Sequence, residues 1–281
     1  MSDRNDTYVL GTTETERGRL GRQHAIWRAD TFAAWDRAGF REGQRLLDLG
    51  CGPGFAALDL AERVGPQGAV LAIDNASPYL EHLQQEAQAR DLNQLTTQLL
   101  DLGSRTSAET VATVIGTGQW DGAWCRWLAM FLPDPDVLIT VAAQALRPGG
   151  RLVLHEYVQW DTFALYPQGQ GLQRFVQRCI SHWQTRGGDP HVARRLPQLL
   201  EARGLRLVSA RSLMACESTE GPKAQWLQDF LQSYPAQLAA AGVWSAADQQ
   251  ALEADLEHAR RHPSLWVTPA LVEQIWEQPA N

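Results

Sequence analysis

Nine consecutive residues, Leu46-Leu47-Asp48-Leu49-Gly50-Cys51-Gly52-Pro53-Gly54, constrain this chain more than any other stretch. An apolar run with one acid near its carboxyl end reads as a short buried strand. Gly50, Gly52 and Gly54 then allow backbone conformations that a Cβ resists, and let a ligand come close. Pro53 suits the first position of a following helix, whose leading N–H groups are left facing the turn. Strand, glycine turn and helix in this order place a nucleotide-like ligand at the carboxyl ends of an open parallel sheet. The dinucleotide pattern G-x-G-x-x-G would need its third glycine at position 55, where this chain has Phe55.

The segments that follow repeat the strand–helix alternation. Ala69–Ile73 is a second buried strand, with Asp74 at its carboxyl end, twenty residues beyond Gly54. A carboxylate there reaches both ribose hydroxyls of a bound nucleoside. Ser77 is a good N-cap for the next helix, which leaves Asp74 free for that role. Leu95–Leu100 reads as strand 3, Ser107–Ile115 as a helix and Trp120–Cys125 as strand 4. Val137–Leu146 is a helix stopped by Arg147-Pro148-Gly149-Gly150, and Arg151–Leu154 is strand 5. Further on, Gln170–Thr185 and His191–Arg203 are helical, Leu205–Ala210 is strand 6, and Trp266–Trp276 holds strand 7. Ahead of all these, Glu14–Arg37 carries Leu20, His24 and Trp27 at helical spacing.

Leu46–Gly54, Phe131-Leu132-Pro133-Asp134-Pro135 and Leu146-Arg147-Pro148-Gly149-Gly150-Arg151-Leu152 together resemble the class I S-adenosylmethionine (SAM) dependent methyltransferases of the small-molecule, UbiE-like type. The resemblance covers roughly residues 40–160, with the motifs in order. It implies an α/β fold, a Rossmann-like doubly wound sheet of seven strands in the order 3-2-1-4-5-7-6 with strand 7 antiparallel. It also implies a helical lid over residues 1–38, a SAM-binding domain over 39–281, and a helical insertion at 221–263.

The same resemblance assigns a cofactor site. Asp48, Gly50, Cys51, Gly52 and Gly54 would wrap the amino-acid end of SAM, and Asp74 with Asn75 the ribose. Asp101 would meet the adenine amino group and the backbone N–H of Leu102 a ring nitrogen, while Cys125 would border the methionine part. Tyr8, Gln23 and Trp27 are candidate lid residues. For chemistry the candidates are His155, Glu156 and Tyr157 after strand 5, with Arg126 as an anchor for an anionic group. Adjacent strand residues point to opposite faces, so a regular strand does not aim His155 and Glu156 at one ligand. The Asn/Asp-Pro-Pro-Tyr/Phe string that holds an amino group in many family members is missing after strand 4, which argues against N-methylation. The expected function is therefore SAM-dependent O- or C-methylation of a small organic molecule. The alternatives are an NAD-dependent oxidoreductase or a non-catalytic SAM-binding sensor or assembly protein.

Charge and cysteine usage narrow the partners. The formal net charge is −7 and Lys223 is the only lysine, with no basic stripe, so a nucleic-acid partner is not expected. Cys51, Cys125, Cys179 and Cys216 lie far apart without a C-x-x-C pair, and no metal site is expected. The first residues lack the apolar core of a leader and no later run approaches a membrane span. The expectation is a cytoplasmic monomer or homodimer with no membrane partner.

Overall fold

The computed structural model describes residues 12–104, 113–167 and 169–280. Tyr8, and residues 107–112 of the helix expected at Ser107–Ile115, lie outside the described residues. Helix α1 (Glu14–Ala38) is capped by Thr13, whose side chain accepts from Glu16 N, and stops at Gly39 with φ 73°. Its buried stripe of His24, Trp27, Thr31, Ala34 and Trp35 follows helical spacing.

The chain then alternates through β1 (Arg45–Leu49), α2 (Phe55–Val64), β2 (Ala69–Asp74), α3 (Ser77–Ala89) and β3 (Leu95–Leu99). β4 (Trp120–Arg126), α4 (Pro135–Ala145) and β5 (Leu146–Gln159) complete the parallel part. β6 (Ala164–Tyr166), α5 (Gln170–Thr185), α6 (Leu196–Ala202), β7 (Arg206–Ser212) and β8 (Cys216–Ser218) follow. α7 (Pro222–Ala240), α8 (Ala246–Arg261), β9 (Leu265–Val267) and β10 (Ala270–Glu277) end the fold. The main sheet runs β3-β2-β1-β4-β5-β10-β7, with β10 antiparallel to both neighbours. Because β7 and β10 are its sixth and seventh strands in chain order, this is the expected 3-2-1-4-5-7-6 sheet.

Burial explains the sheet. Leu46, Leu47 and Leu49 of β1 are within 1 % of full burial, each contributing about 1.5–3 kcal/mol relative to exposure. α2 presents Ala57, Leu60, Ala61 and Val64 to one face. α4 covers the opposite face with Leu138, Val141, Ala142 and Ala145, giving the layered arrangement that hides a parallel sheet on both sides.

Several local readings differ, among them the helix expected over His191–Arg203, which is a 3-10 turn at Val192–Arg194 followed by a helix over Leu196–Ala202. The first helix of the sheet starts at Phe55 rather than Pro53, because Gly54 sits left-handed at φ 88° and Pro53 stays in the turn. Ser77 is the first helical residue, not the cap; Ala76 takes that position and its N–H donates to Asp74 Oδ1 at 2.9 Å. β5 extends to Gln159, five residues past the expected end, because β10 pairs along it: His155 faces Glu273, Glu156 faces Val272 and Tyr157 faces Leu271. A small sheet, β6-β9-β8, was not legible, its strands being three residues each. No described helix is long and apolar enough to cross a membrane.

Candidate active site

The glycine turn is built tightly enough that two of its glycines are obligatory. Gly50 has φ 74°, and a Cβ there would lie 2.7 Å from Leu128 Cδ2. Gly54 has φ 88°, and its Cβ would lie 2.3 Å from Leu83 Cδ1. Backbone bonds fix the loop onto β2: Gly50 N and Cys51 N donate to Ile73 O at 2.8 and 3.0 Å, and Gly52 N donates to Asp74 Oδ2 at 2.8 Å. Asp74 thus clamps both the turn and the start of α3. Backbone donors from Gly52, Ala76 and Asn75 leave its carboxylate acceptor capacity for a further donor.

A cavity of about 670 Å³ opens from this turn. Asp48, Gly50, Cys51, Gly52, Asp74, Asn75, Asp101 and Leu102 line one end, and Gln23 of α1 joins them. Gly54 and Cys125 do not line it; Gly54 acts through packing on Leu83, and Cys125 is fully buried in the core behind. Asp48 is 2 % exposed, and its Oδ2 has no hydrogen-bond partner. Burial pushes its carboxyl up to about 7, against the opposing field of Arg126. A buried acceptor with no donor is costly. It marks the place where a ligand cation or donor fits.

Arg126 lies in the wall between this end and α1. Its guanidinium donates to Thr31 Oγ1 at 3.0 Å and to His24 Nδ1 at 3.1 Å. Since a guanidinium only donates, Nδ1 accepts and His24 carries its proton on Nε2, donated to Asp59 Oδ2 at 2.9 Å. Arg28 closes the chain on the same carboxylate at 2.8 and 2.9 Å. Burial lowers both the His24 and the Arg126 values, the latter to about 10. Arg126 is therefore tied into a structural network that docks α1 on the sheet.

The other candidates for chemistry separate as the strand geometry requires. Tyr157 lines the cavity; His155 and Glu156 do not. His155 is 1 % exposed and faces away, against Trp124 at a ring distance of 4.7 Å and Glu273 at 3.4 Å. Glu156 is equally buried, and its Oε1 accepts from Leu128 N and Ala129 N at 2.9 and 2.7 Å. It holds the turn that follows β4. Neither side chain reaches a ligand in the cavity, so a catalytic role for either is not carried forward.

The opposite end is aromatic. Trp127, Tyr157, Trp160, Trp183, Trp226 and Phe230 line it. Trp127 stacks on Trp226 at 5.5 Å and 11°, and on Tyr157 at 6.1 Å and 16°. Trp160 meets Trp183 edge-on at 4.7 Å. Trp127 has φ 55°, a left-handed conformation rare for a bulky residue. It is held there by its N–H donating to His155 O at 3.0 Å and by the stack itself. Trp127 directly follows β4, Tyr157 lies near the end of β5 with Trp160 just beyond it, Trp183 comes from α5, and Trp226 and Phe230 come from α7; of these only Tyr157 was among the residues expected to carry chemistry.

α7 completes the roof together with α1. Trp226 Nε1 donates to Gln23 Oε1 at 2.8 Å, Arg22 Nε to Asp229 Oδ2 at 2.7 Å, and Lys223 Nζ lies 2.9 Å from Asp30 Oδ2.

A doubly wound sheet of this order, with a glycine turn at the end of β1, acids at or near the carboxyl ends of β1, β2 and β3, and a cavity above them, defines the class I methyltransferase architecture. The chain belongs to the methyltransferase-domain family, whose model matches residues 40–204. It is 34 % identical over 126 residues to aklanonic acid methyltransferase of Streptomyces sp. (strain C5), covering 44 % of this chain and 54 % of that one. It is 32 % identical over 147 residues to demethylmenaquinone methyltransferase of Lactococcus lactis, covering 52 % and 54 %. A third relative, nocamycin O-methyltransferase of Saccharothrix syringae, is 34 % identical over 114 residues, 41 % of this chain and 38 % of its own. The chain thus spans about half the length of these relatives or less. Among solved structures, geranyl diphosphate C-methyltransferase of Streptomyces coelicolor matches 98 % of this chain and 90 % of its own at a TM-score of 0.57 and 16 % identity, a likeness of fold.

SAM is the family's cofactor, and the residues present fit it. The unpartnered Asp48 oxygen suits an α-ammonium, the spare lone pairs of Asp74 suit ribose hydroxyls, and the glycine turn leaves room where a Cβ would intrude.

Proposed function

We propose that this chain is a SAM-dependent methyltransferase acting on a small organic molecule at oxygen or carbon. The observation that carries the reading is one continuous cavity joining the Asp48–Asp74 end to the aromatic end. Bound SAM supplies an electrophilic sulfonium methyl group. Asp48 would accept from its ammonium, Asp74 and Asn75 would hold the ribose, and Asp101 with the Leu102 N–H would meet the adenine. Tyr157 and the indoles of Trp127 and Trp226 shape the space next to that end and exclude water, which is most of what an in-line displacement asks of a protein. Arg126 keeps the wall closed by tying β4 to α1. α1 acts as a lid in this reading, with α7 as its second half.

The test is calorimetric titration with S-adenosylhomocysteine, with NAD in parallel. Micromolar binding of S-adenosylhomocysteine, weakened at least tenfold in Asp48→Asn, supports the reading. Binding of NAD alone refutes it. Binding of S-adenosylhomocysteine without methyl transfer to any acceptor in a broad panel would favour the non-catalytic alternative.

A further inference from the structure

The aromatic end of the cavity carries its own selectivity. Tyr157 and Arg186 line the cavity, and so does Arg126, whose guanidinium lies over the Trp127 ring at 4.8 Å but is held by Thr31 and His24. Burial pushes the Tyr157 phenol well above its ordinary value, so it stays protonated and takes no proton from an acceptor. Arg186 is exposed, lines the cavity, and forms no ion pair with any described residue. It follows Trp183 by three residues at the end of α5. The adjoining Gly187 lies against the Pro133 corner, where a Cβ would sit 3.5 Å away. The Arg186 charge also acts on His182 and Tyr234, which places it on the α5–α7 side of the cavity. His24 also lines the cavity, with both ring nitrogens engaged by Arg126 and Asp59.

We propose that this end is an acceptor subsite for a flat, π-rich molecule bearing an already ionised oxygen, a carboxylate or an acidic enol or phenol, which faces Arg186 while the ring system lies among Trp127, Trp160, Trp183, Trp226 and Phe230. This rests on the methyltransferase reading above and narrows it to oxygen. Flat π-systems gain from offset and edge contacts with indoles beyond the area they bury. A guanidinium pairs with an oxyanion in a planar fork. An ionised acceptor also removes the need for a general base. An oxygen lone pair forms the new O–CH₃ bond, the S–CH₃ bond breaks with its electron pair going to sulfur, and no proton has to leave. A cationic acceptor is disfavoured by Arg186 itself.

The experiment uses the full chain saturated with S-adenosylhomocysteine, titrated with 1-naphthoate, 1-hydroxynaphthalene-2-carboxaldehyde as the acidic phenol, methyl 1-naphthoate and 1-naphthylmethylamine, followed by tryptophan fluorescence and calorimetry. At least one of the two acids should bind tenfold or more tighter than the ester and the amine. Arg186→Gln should erase that preference, and Trp226→Leu should weaken acid and ester together. Which acid binds tells carboxylate from phenolate. Equal binding of acids and ester, preference for the amine, or no binding of any probe while S-adenosylhomocysteine still binds overturns the inference and leaves the methyltransferase reading standing. Failure of S-adenosylhomocysteine itself to bind overturns both.

Discussion

Replacing Gly54 with alanine tests the reasoning about the turn most directly, because the same molecule contains its control. Gly39 and Gly54 both sit at positive φ, 73° and 88°. A Cβ at Gly39 would meet nothing within 4 Å, whereas one at Gly54 would lie 2.3 Å from Leu83 Cδ1, 2.6 Å from Cδ2 and 2.7 Å from Cγ. Gly39→Ala should therefore cost only the left-handed penalty, about 1–2 kcal/mol. Gly54→Ala carries that penalty plus the overpacking of a fully buried leucine, about 1–3 kcal/mol more. The total for Gly54→Ala is thus about 2–5 kcal/mol. Urea unfolding of both variants, with Leu83→Ala and the double variant Gly54→Ala/Leu83→Ala, separates the two parts. Truncating Leu83 should cost about 2–5 kcal/mol alone but should relieve the Gly54→Ala clash, giving a coupling of about 1–3 kcal/mol in the double-mutant cycle. Gly54→Ala should also shift the turn and weaken S-adenosylhomocysteine binding, while Gly39→Ala should leave it unchanged. Equal costs for the two glycines with additive behaviour at Leu83 would refute the claim that close approach, rather than φ alone, requires glycine at 54.

Other outcomes follow from the buried charges. Asp48 titrates at about 7 in the free protein, so if its ionised form binds the cofactor ammonium, S-adenosylhomocysteine affinity should fall about tenfold per pH unit below 7; calorimetry from pH 5.5 to 8 should show this slope, and Asp48→Asn should flatten it. Glu273, paired with Arg37 at 2.8 Å and His155 at 3.4 Å, is held at about 2. A depressed carboxylate stabilises the fold above its ordinary value of 4.5 and loses that contribution as pH falls towards 2. Glu273→Gln should thus cost about 3–5 kcal/mol at pH 7 and blunt the acid limb of the stability–pH curve; an unchanged limb would remove Glu273 from the account. Burial pushes Glu156 up to about 8, so it is mostly protonated at neutral pH. Glu156→Gln keeps an acceptor for Leu128 N and Ala129 N and should cost under about 1 kcal/mol, whereas Glu156→Ala orphans two N–H groups and should cost about 2–3 kcal/mol; denaturant midpoints of the pair decide it.

The sequence by itself determined what depends on neighbours along the chain. The string from Leu46 to Gly54 dictates a strand, a left-handed turn and a helix because its apolar run and glycines act within a few residues. The alternation of strands and helices then leaves few topologies, and the resemblance to the class I methyltransferases implied which seven-strand order it is. Asp48, Asp74 and Asp101 stand at or near the carboxyl ends of β1, β2 and β3; Asp74 was legible from the strand–helix pattern, and the roles of Asp48 and Asp101 were implied by the resemblance. The tertiary structure decided everything that needed partners distant in sequence. β5 continues to Gln159 only because β10, more than a hundred residues later, supplies hydrogen bonds along it. That extension turns His155 towards Glu273 and Glu156 into the Leu128–Ala129 turn, leaving Tyr157 alone at the cavity. The aromatic end draws one wall from α5 and another from α7, and no local pattern distinguishes Trp183 or Trp226 from core tryptophans such as Trp35 and Trp276. Periodicity reports which face of an element is buried, but which element buries it, and whether a cavity is left between them, is settled only when the faces meet.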